Sequence, residues 1–219
     1  RNRSIELYRL PPERVHVAPP GVDAAEPAAG SPDGGRLLCV GAVAPHKGQD
    51  VLLAALALTA DRPWCCALVG PADPDFLELL RRRAAAEGID DRLHFADALT
   101  GDALDRAYAG ADVLVLASRG ETYGMVVIEA LARGLPVIAT AVGGVPEALG
   151  HTADGRRPGL LVAPDDPGAL ATALRSWSTD PDLRQRLRRA AADRRPALAA
   201  WDVTTDLVAR ALTAATTMP

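Results

Sequence analysis

The chain has 219 residues, enough for one sizeable α/β domain or two small ones, with a core that can stand alone. A net charge of −4 gives no electrostatic footprint for nucleic acid or an anionic membrane. Cys39, Cys65 and Cys66 fall inside apolar strand-like runs and read as small core hydrophobes of a reducing compartment; the scattered histidines and these cysteines have no metal-ligand spacing.

Ile5 to Leu10 reads as the end of a helix stopped by Pro11-Pro12, and Val15 to Ala18 as a short strand. Pro19-Pro-Gly-Val-Asp23 closes that piece, and Glu26 to Gly35, rich in Pro, Gly and Ala, reads as linker. Arg36 to Val43 is the first core strand, followed by the turn Pro45-His-Lys47-Gly48 and an amphipathic helix over Gln49–Leu58. A lysine in a Gly/Pro turn between a strand and a helix can reach a diphosphate as a point charge. Neither a Walker A loop nor a dinucleotide fingerprint is present, and on these residues alone a surface turn lysine is the competing reading. Cys65–Gly70 is the second strand, and Phe76–Glu87 a helix stopped at Gly88. Arg81, Arg82 and Arg83 spread around that helix and read as a solvated face. Leu93–Ala98 is the third strand and Asp102–Tyr108 a short helix. No signal peptide or membrane span is legible, so a soluble, cytoplasmic chain is expected.

The stretch from Ala111 to Gly150 is the most informative. Val113–Leu116 is a continuous apolar run, as expected of a strand buried on both faces of a parallel sheet. After Ser118-Arg119-Gly120 the pattern turns helical from Thr122 to Arg133, where Gly134 and Pro136 stop it. Pro136–Thr140 is the next strand, and Gly143-Gly144 punctuates the turn after it. Glu121 lies ahead of the helix N-terminus, whose free N–H groups attract phosphate, and Glu129 lies within the helix, roughly 10–12 Å away at the helical rise. A carboxylate accepts hydrogen bonds well from vicinal sugar hydroxyls, so one acid on each side of a pyrophosphate would hold the two sugars of a nucleotide-sugar. The plainer reading pairs Glu129 with Arg133 at i, i+4, although MVVIEALA is apolar nearly all round and leaves little room for a solvated stripe. Beyond Gly150, Gly159–Ala163 is the sixth strand, and Gly168–Ser178, Pro181–Arg195 and Trp201–Thr213 are helices.

Glu-x7-Glu in the setting ASRGETYGMVVIEALARGLPVIAT followed by GGVPE, preceded by VGAVAPHKGQDVLLAAL and followed by GLLVAPDDPGALATAL, resembles the family-4 retaining glycosyltransferases of GT-B fold. The likeness runs from about Pro11 to Trp201. It implies a doubly wound, Rossmann-like α/β domain with a parallel sheet of about six strands, the C-terminal half of such an enzyme. Residues 1–35 would then be an interdomain segment, 36–199 the donor-binding domain, and 200–219 a helix crossing back to an N-terminal acceptor domain. By the same resemblance Lys47 neutralises the diphosphate leaving group, Glu121 binds donor-sugar hydroxyls and Glu129 the ribose. The backbone N–H groups of Gly124, Met125 and Val126 meet the phosphates, Gly41, Thr122 and Tyr123 also belong to the donor-nucleotide site, and Ala98 and Leu99 meet the base through their backbones. The family often carries Arg after the strand-ending glycine, where this chain has Ala42.

No metal and no cofactor is expected; the nucleotide-diphosphate sugar, of UDP or GDP type, is a substrate. The half-enzyme by itself is expected to bind nucleotide and transfer nothing, and the resemblance leaves membrane contact by the parent enzyme open. A glycosidase would need the two carboxyls closer around one sugar. A related GT-B epimerase or phosphorylase, and a non-catalytic nucleotide-sugar-binding module, are the standing alternatives.

Overall fold

The computed structural model describes residues 2–216. They divide into two units, one of residues 25–196 and one joining the residues up to 24 with those from 197 onward. The second of these holds the helices α1 (Asn2–Tyr8) and α9 (Trp201–Thr216). Within it, Val22 donates its N–H to the Ala199 carbonyl at 2.9 Å and Thr204 Oγ1 donates to the Pro19 carbonyl at 2.7 Å. The strand expected at Val15–Ala18 is absent. Pro12–Arg14 forms a 3-10 turn, and the run after it makes no ladder among the described residues. Trp201, Val203, Val208 and Leu212 of α9 are exposed.

The sheet unit has six parallel strands, β1 (Arg36–Val40), β2 (Cys65–Val69), β3 (Leu93–Ala96), β4 (Val113–Leu116), β5 (Val137–Thr140) and β6 (Gly159–Val162), in the order β3-β2-β1-β4-β5-β6. The chain lays down one half outward from β1 and then returns to lay the other half from β4, so the order reverses between these two strands. Their register aligns Leu37 with Val113 and Leu38 with Leu114. The loops that leave β1 and β4 therefore emerge side by side.

A parallel sheet covered on both faces explains the unbroken apolar runs. Every residue of β4 and β5 is buried. Val113 and Val115 join the core cluster with Leu52, Leu56, Leu170 and Trp177, drawn from α2 (Gln49–Ala57) and α7 (Pro167–Thr179). Leu114 and Leu116, on the opposite face by the strand pleat, are equally buried.

Asp-Pro steps start three helices. In α3 (Pro74–Ala86), α7 and α8 (Pro181–Arg194) the aspartate before the proline accepts from the N–H three residues on: Asp73 from Phe76, Asp166 from Ala169 and Asp180 from Leu183. The proline's missing N–H is one the first turn leaves unbonded anyway. This places two of the starts ahead of the Phe76 and Gly168 expected from periodicity. Other departures are local. α4 (Asp102–Ala109) follows a β3 that ends at Ala96, so Ala98 lies in the loop. α5 (Met125–Ala132) starts three residues after Thr122 because Gly124 precedes it in a left-handed conformation. The five-residue α6 (Val145–Leu149) was not legible in GGVPEALG, which is too short to show a helical period. Cys65, expected in the core, is exposed at the start of β2, while Cys39 and Cys66 are buried.

Glu26 to Gly35, expected as linker, fall within the unit of residues 25–196 that holds the sheet. Asp112, fully buried ahead of β4, accepts from the Ser31 N–H, from Ser31 Oγ at 2.7 Å and from the Arg36 N–H at 2.8 Å, with Arg188 Nη2 at 3.3 Å. Ala28 donates to the Arg133 carbonyl at 2.9 Å, and Arg195 Nη2 to the Ala25 carbonyl at 2.8 Å.

Candidate functional site

The carboxyl ends of β1 and β4 are where an open α/β sheet binds ligands, and the residues there are tied across the reversal. After β1, Gln49 is buried and its Nε2 donates to the Ala42 carbonyl at 2.8 Å, which fixes the outgoing chain to the start of α2. Pro45–Lys47 then makes a 3-10 turn closed by Gly48 at φ 66°. A Cβ at Gly48 would lie 2.1 Å from the Ala117 carbonyl oxygen, so only glycine lets this turn rest against the end of β4. The turn delivers Lys47, whose Nζ stands 2.6 Å from Glu121 Oε1. The buried Ser118 donates its hydroxyl to the same Oε1 at 2.8 Å. Thr140 of β5 in turn donates to the Ser118 carbonyl at 2.6 Å.

The loop after β5 closes beneath Glu121. Gly143, at φ 51°, comes so near the Glu121 carbonyl that a Cβ would lie 1.6 Å from its oxygen, and Gly144 donates its N–H to that oxygen at 3.4 Å. Gly41 lies open beside Lys47, whose Cε stands 3.9 Å from a Cβ built there. Gly124 ends the ETYG loop at φ 95°, and α5 begins at Met125 with no acidic residue in its first turn. The leading N–H groups of such a helix have no intrahelical acceptor.

Arg119 joins the loops from its outer side. Its N–H donates to the His46 carbonyl at 2.9 Å and its Nη1 to the Pro45 carbonyl, so one residue grips the turn that carries Lys47. The guanidinium also meets Asp50 through two bonds of 2.9 and 2.8 Å, and Asp165 at 2.6 Å. Partial burial pushes the Asp50 carboxyl up, but the hydrogen bonds and charge of Arg119 outweigh it and hold the carboxyl below its ordinary range. Because the folded value lies below the unfolded one, this stabilisation is complete above about pH 4 and is lost as the pH falls further. The difference in melting temperature between the wild type and Arg119→Met should therefore shrink below about pH 4. A difference that stays constant with pH would show that the grip is not electrostatic.

Glu129 lies on α5, and its Oε2 accepts from the hydroxyl of the fully buried Tyr108 on α4 at 2.7 Å. The i, i+4 pair with Arg133 does not form. Arg133 donates Nη1 to the Glu129 backbone carbonyl at 3.0 Å, pairs with Asp105, and lays its guanidinium 4.5 Å from the Tyr108 ring centre. Ala98 and Leu99 lie in the loop leaving the edge strand β3. The structure thus joins Lys47 directly to Glu121, while Glu129 has its own partner on α4.

Ser118, Tyr108, Arg119 and Gln49 carry this arrangement and were not singled out in the sequence. Ser118 had a signal in its spacing of three from Glu121; Tyr108 had none, because its partner comes from another helix. Burial pushes the Cys39 thiol up to about 12 against the opposing charge of Lys47, so it is no nucleophile. Among the described residues no cluster of His, Cys, Asp and Glu could hold a metal ion, and no helix is long and apolar enough to cross a membrane.

Comparisons with known proteins agree with this architecture. The D-inositol 3-phosphate glycosyltransferase of Jonesia denitrificans is 36% identical over 93% of this chain and 52% of its own length. The chain spans about half the length of the curated relatives it matches. Among solved structures, the C-terminal domain of a glycosyl transferase group 1 family protein from Francisella tularensis shares the fold, with TM-score 0.67, 24% identity and coverage of 85% of this chain and 97% of that one. An Anabaena protein, HepE, solved with UDP and glucose, shares it with TM-score 0.73 and 23% identity, covering 83% of this chain and 49% of that one. Residues 26–194, most of the sheet unit, match the family model itself. This chain belongs to the glycosyl transferases group 1 family.

Proposed function

We propose that this chain is the donor-binding half of a retaining glycosyltransferase, which moves a sugar from a nucleotide-diphosphate donor to an acceptor held by another domain. The observation that carries the reading is the Lys47–Glu121 pair at the point where the strand order reverses. A cation and an acceptor carboxylate sit there within one hydrogen bond of each other, as a diphosphate joined to a polyhydroxylated sugar requires. UDP is the nucleotide to test first, because the Anabaena protein of the same fold was solved with it.

In this reading the bond from the anomeric carbon to the diphosphate oxygen breaks, and the charge gathers on the leaving oxygen. Lys47 and the leading N–H groups of Met125 and Val126 meet that charge, so the chain contributes positioning and electrostatic stabilisation with no cofactor. Glu121 turns its carboxylate to donor-sugar hydroxyls while Ser118 keeps hold of Oε1. Thr122 and Tyr123 carry the loop between these groups, Gly41 leaves room beside Lys47, and the Ala98–Leu99 backbone borders the base. Glu129 takes the ribose.

Calorimetry with UDP, GDP and ADP tests the assignment. Glu129→Gln should weaken the preferred nucleotide by about 1.5–3 kcal/mol, the range for a hydrogen bond to a charged group, with the melting temperature unchanged. Equal affinities for variant and wild type would reduce Glu129 to a structural partner of Tyr108.

A further inference from the structure

Glu129 is a half-buried carboxylate that lacks the cation its own helix offers. Arg133, one turn on, has been drawn away from it by Asp105 and by the face of the Tyr108 ring. What remains among the described residues is one neutral donor, the Tyr108 hydroxyl, on one of the two carboxylate oxygens. Tyr108 is fully buried on α4 and cannot swing aside. Burial, and then the charge of Glu129, pushes its hydroxyl well above the ordinary tyrosine range, so it stays a donor at every working pH. A glutamate on a helix surface samples several rotamers and would lose that freedom on binding a ligand. Here the freedom is already removed in the unliganded chain.

We infer that Tyr108 is the positioning residue that makes Glu129 selective for ribose over deoxyribose. By fixing Oε2 it aims Oε1, which meets no protein donor among the described residues, at a partner from outside. A carboxylate whose only protein partner among the described residues is a neutral hydroxyl, with its neighbouring arginine engaged elsewhere, fits a ligand that brings neutral donors. A vicinal diol is such a ligand. The inference rests on the assignment of Glu129 to the ribose, and deepens it: the choice between ribose and deoxyribose is set from α4, by a residue that does not itself touch the nucleotide.

The test is calorimetry of the chain with UDP and with 2′-deoxy-UDP, for the wild type, Tyr108→Phe and Glu129→Gln. The wild type should prefer UDP by about tenfold or more, the equivalent of one hydrogen bond to a charged group. Tyr108→Phe keeps the ring and its packing. It should leave 2′-deoxy-UDP affinity unchanged and lower UDP affinity until the two nucleotides differ by about twofold or less. If Tyr108→Phe keeps the preference, or weakens both nucleotides alike, the tyrosine is structural and the inference is overturned. If the wild type shows no preference and Glu129→Gln changes nothing, the ribose assignment itself falls. A measurement on the unmutated chain guards against a variant that fails to fold. The buried hydroxyl proton of Tyr108 should give a slowly exchanging, downfield proton resonance that shifts with UDP and not with 2′-deoxy-UDP; an identical response to both would also overturn the inference.

Discussion

Asp112→Ala should lower the unfolding free energy by about 3–5 kcal/mol, the cost of leaving a buried ionic network without its central charge. The carboxylate is fully buried and serves donors from three parts of the chain: the Ser31 N–H and hydroxyl, the Arg36 N–H, and the Arg188 guanidinium. Alanine leaves those donors without their shared acceptor, and unmade buried hydrogen bonds cost more than made ones contribute. Arg188→Ala should cost less, because a third of that side chain already reaches solvent. Denaturant titration measures the loss, and hydrogen exchange locates it: residues 25–35 should lose protection first. A change under about 1 kcal/mol would show that this strap contributes little to the fold.

Lys47→Ala should weaken nucleoside diphosphate binding by at least about 1.5–3 kcal/mol, with a clear salt dependence, while leaving the much weaker nucleoside binding nearly unchanged. The pairing seen in the free chain adds a second effect. Lys47 neutralises Glu121 at 2.6 Å, so its removal leaves an uncompensated carboxylate where the diphosphate must come. The converse follows for the partner. Glu121→Ala releases Lys47 from a competing acceptor and should tighten free UDP while weakening the nucleotide-sugar. The double variant should bind UDP better than Lys47→Ala alone, a coupling that a mutant cycle reads directly. Ala42 supplies no second cation beside Gly41, so Ala42→Arg should tighten diphosphate binding. Unchanged diphosphate affinity in Lys47→Ala would return Lys47 to a turn residue paired with Glu121.

The sequence by itself determined the six strands of the sheet unit and its longer helices. Strands buried on both faces must be apolar throughout, so VLVL and the run ahead of Gly41 could be read without knowing their neighbours. Strong local chemistry also reads directly, as the stop at Gly134 and Pro136 shows. The resemblance to a known family drew Lys47, Glu121 and Glu129 together as candidates. Tertiary structure decided how those candidates engage one another. Lys47 and Glu121 lie 74 residues apart and meet only because β4 returns to pair with β1, a choice of strand order that no local pattern encodes. Arg133 stood at the helical spacing to pair with Glu129, yet Asp105 and the Tyr108 ring took it, because α4 packs there and side-chain periodicity knows nothing of a second helix. The same reason hid the role of Asp112. A lone aspartate ahead of a strand reads as a turn residue until the fold buries it under Ser31 and Arg188, where its charge must be met from distant parts of the chain.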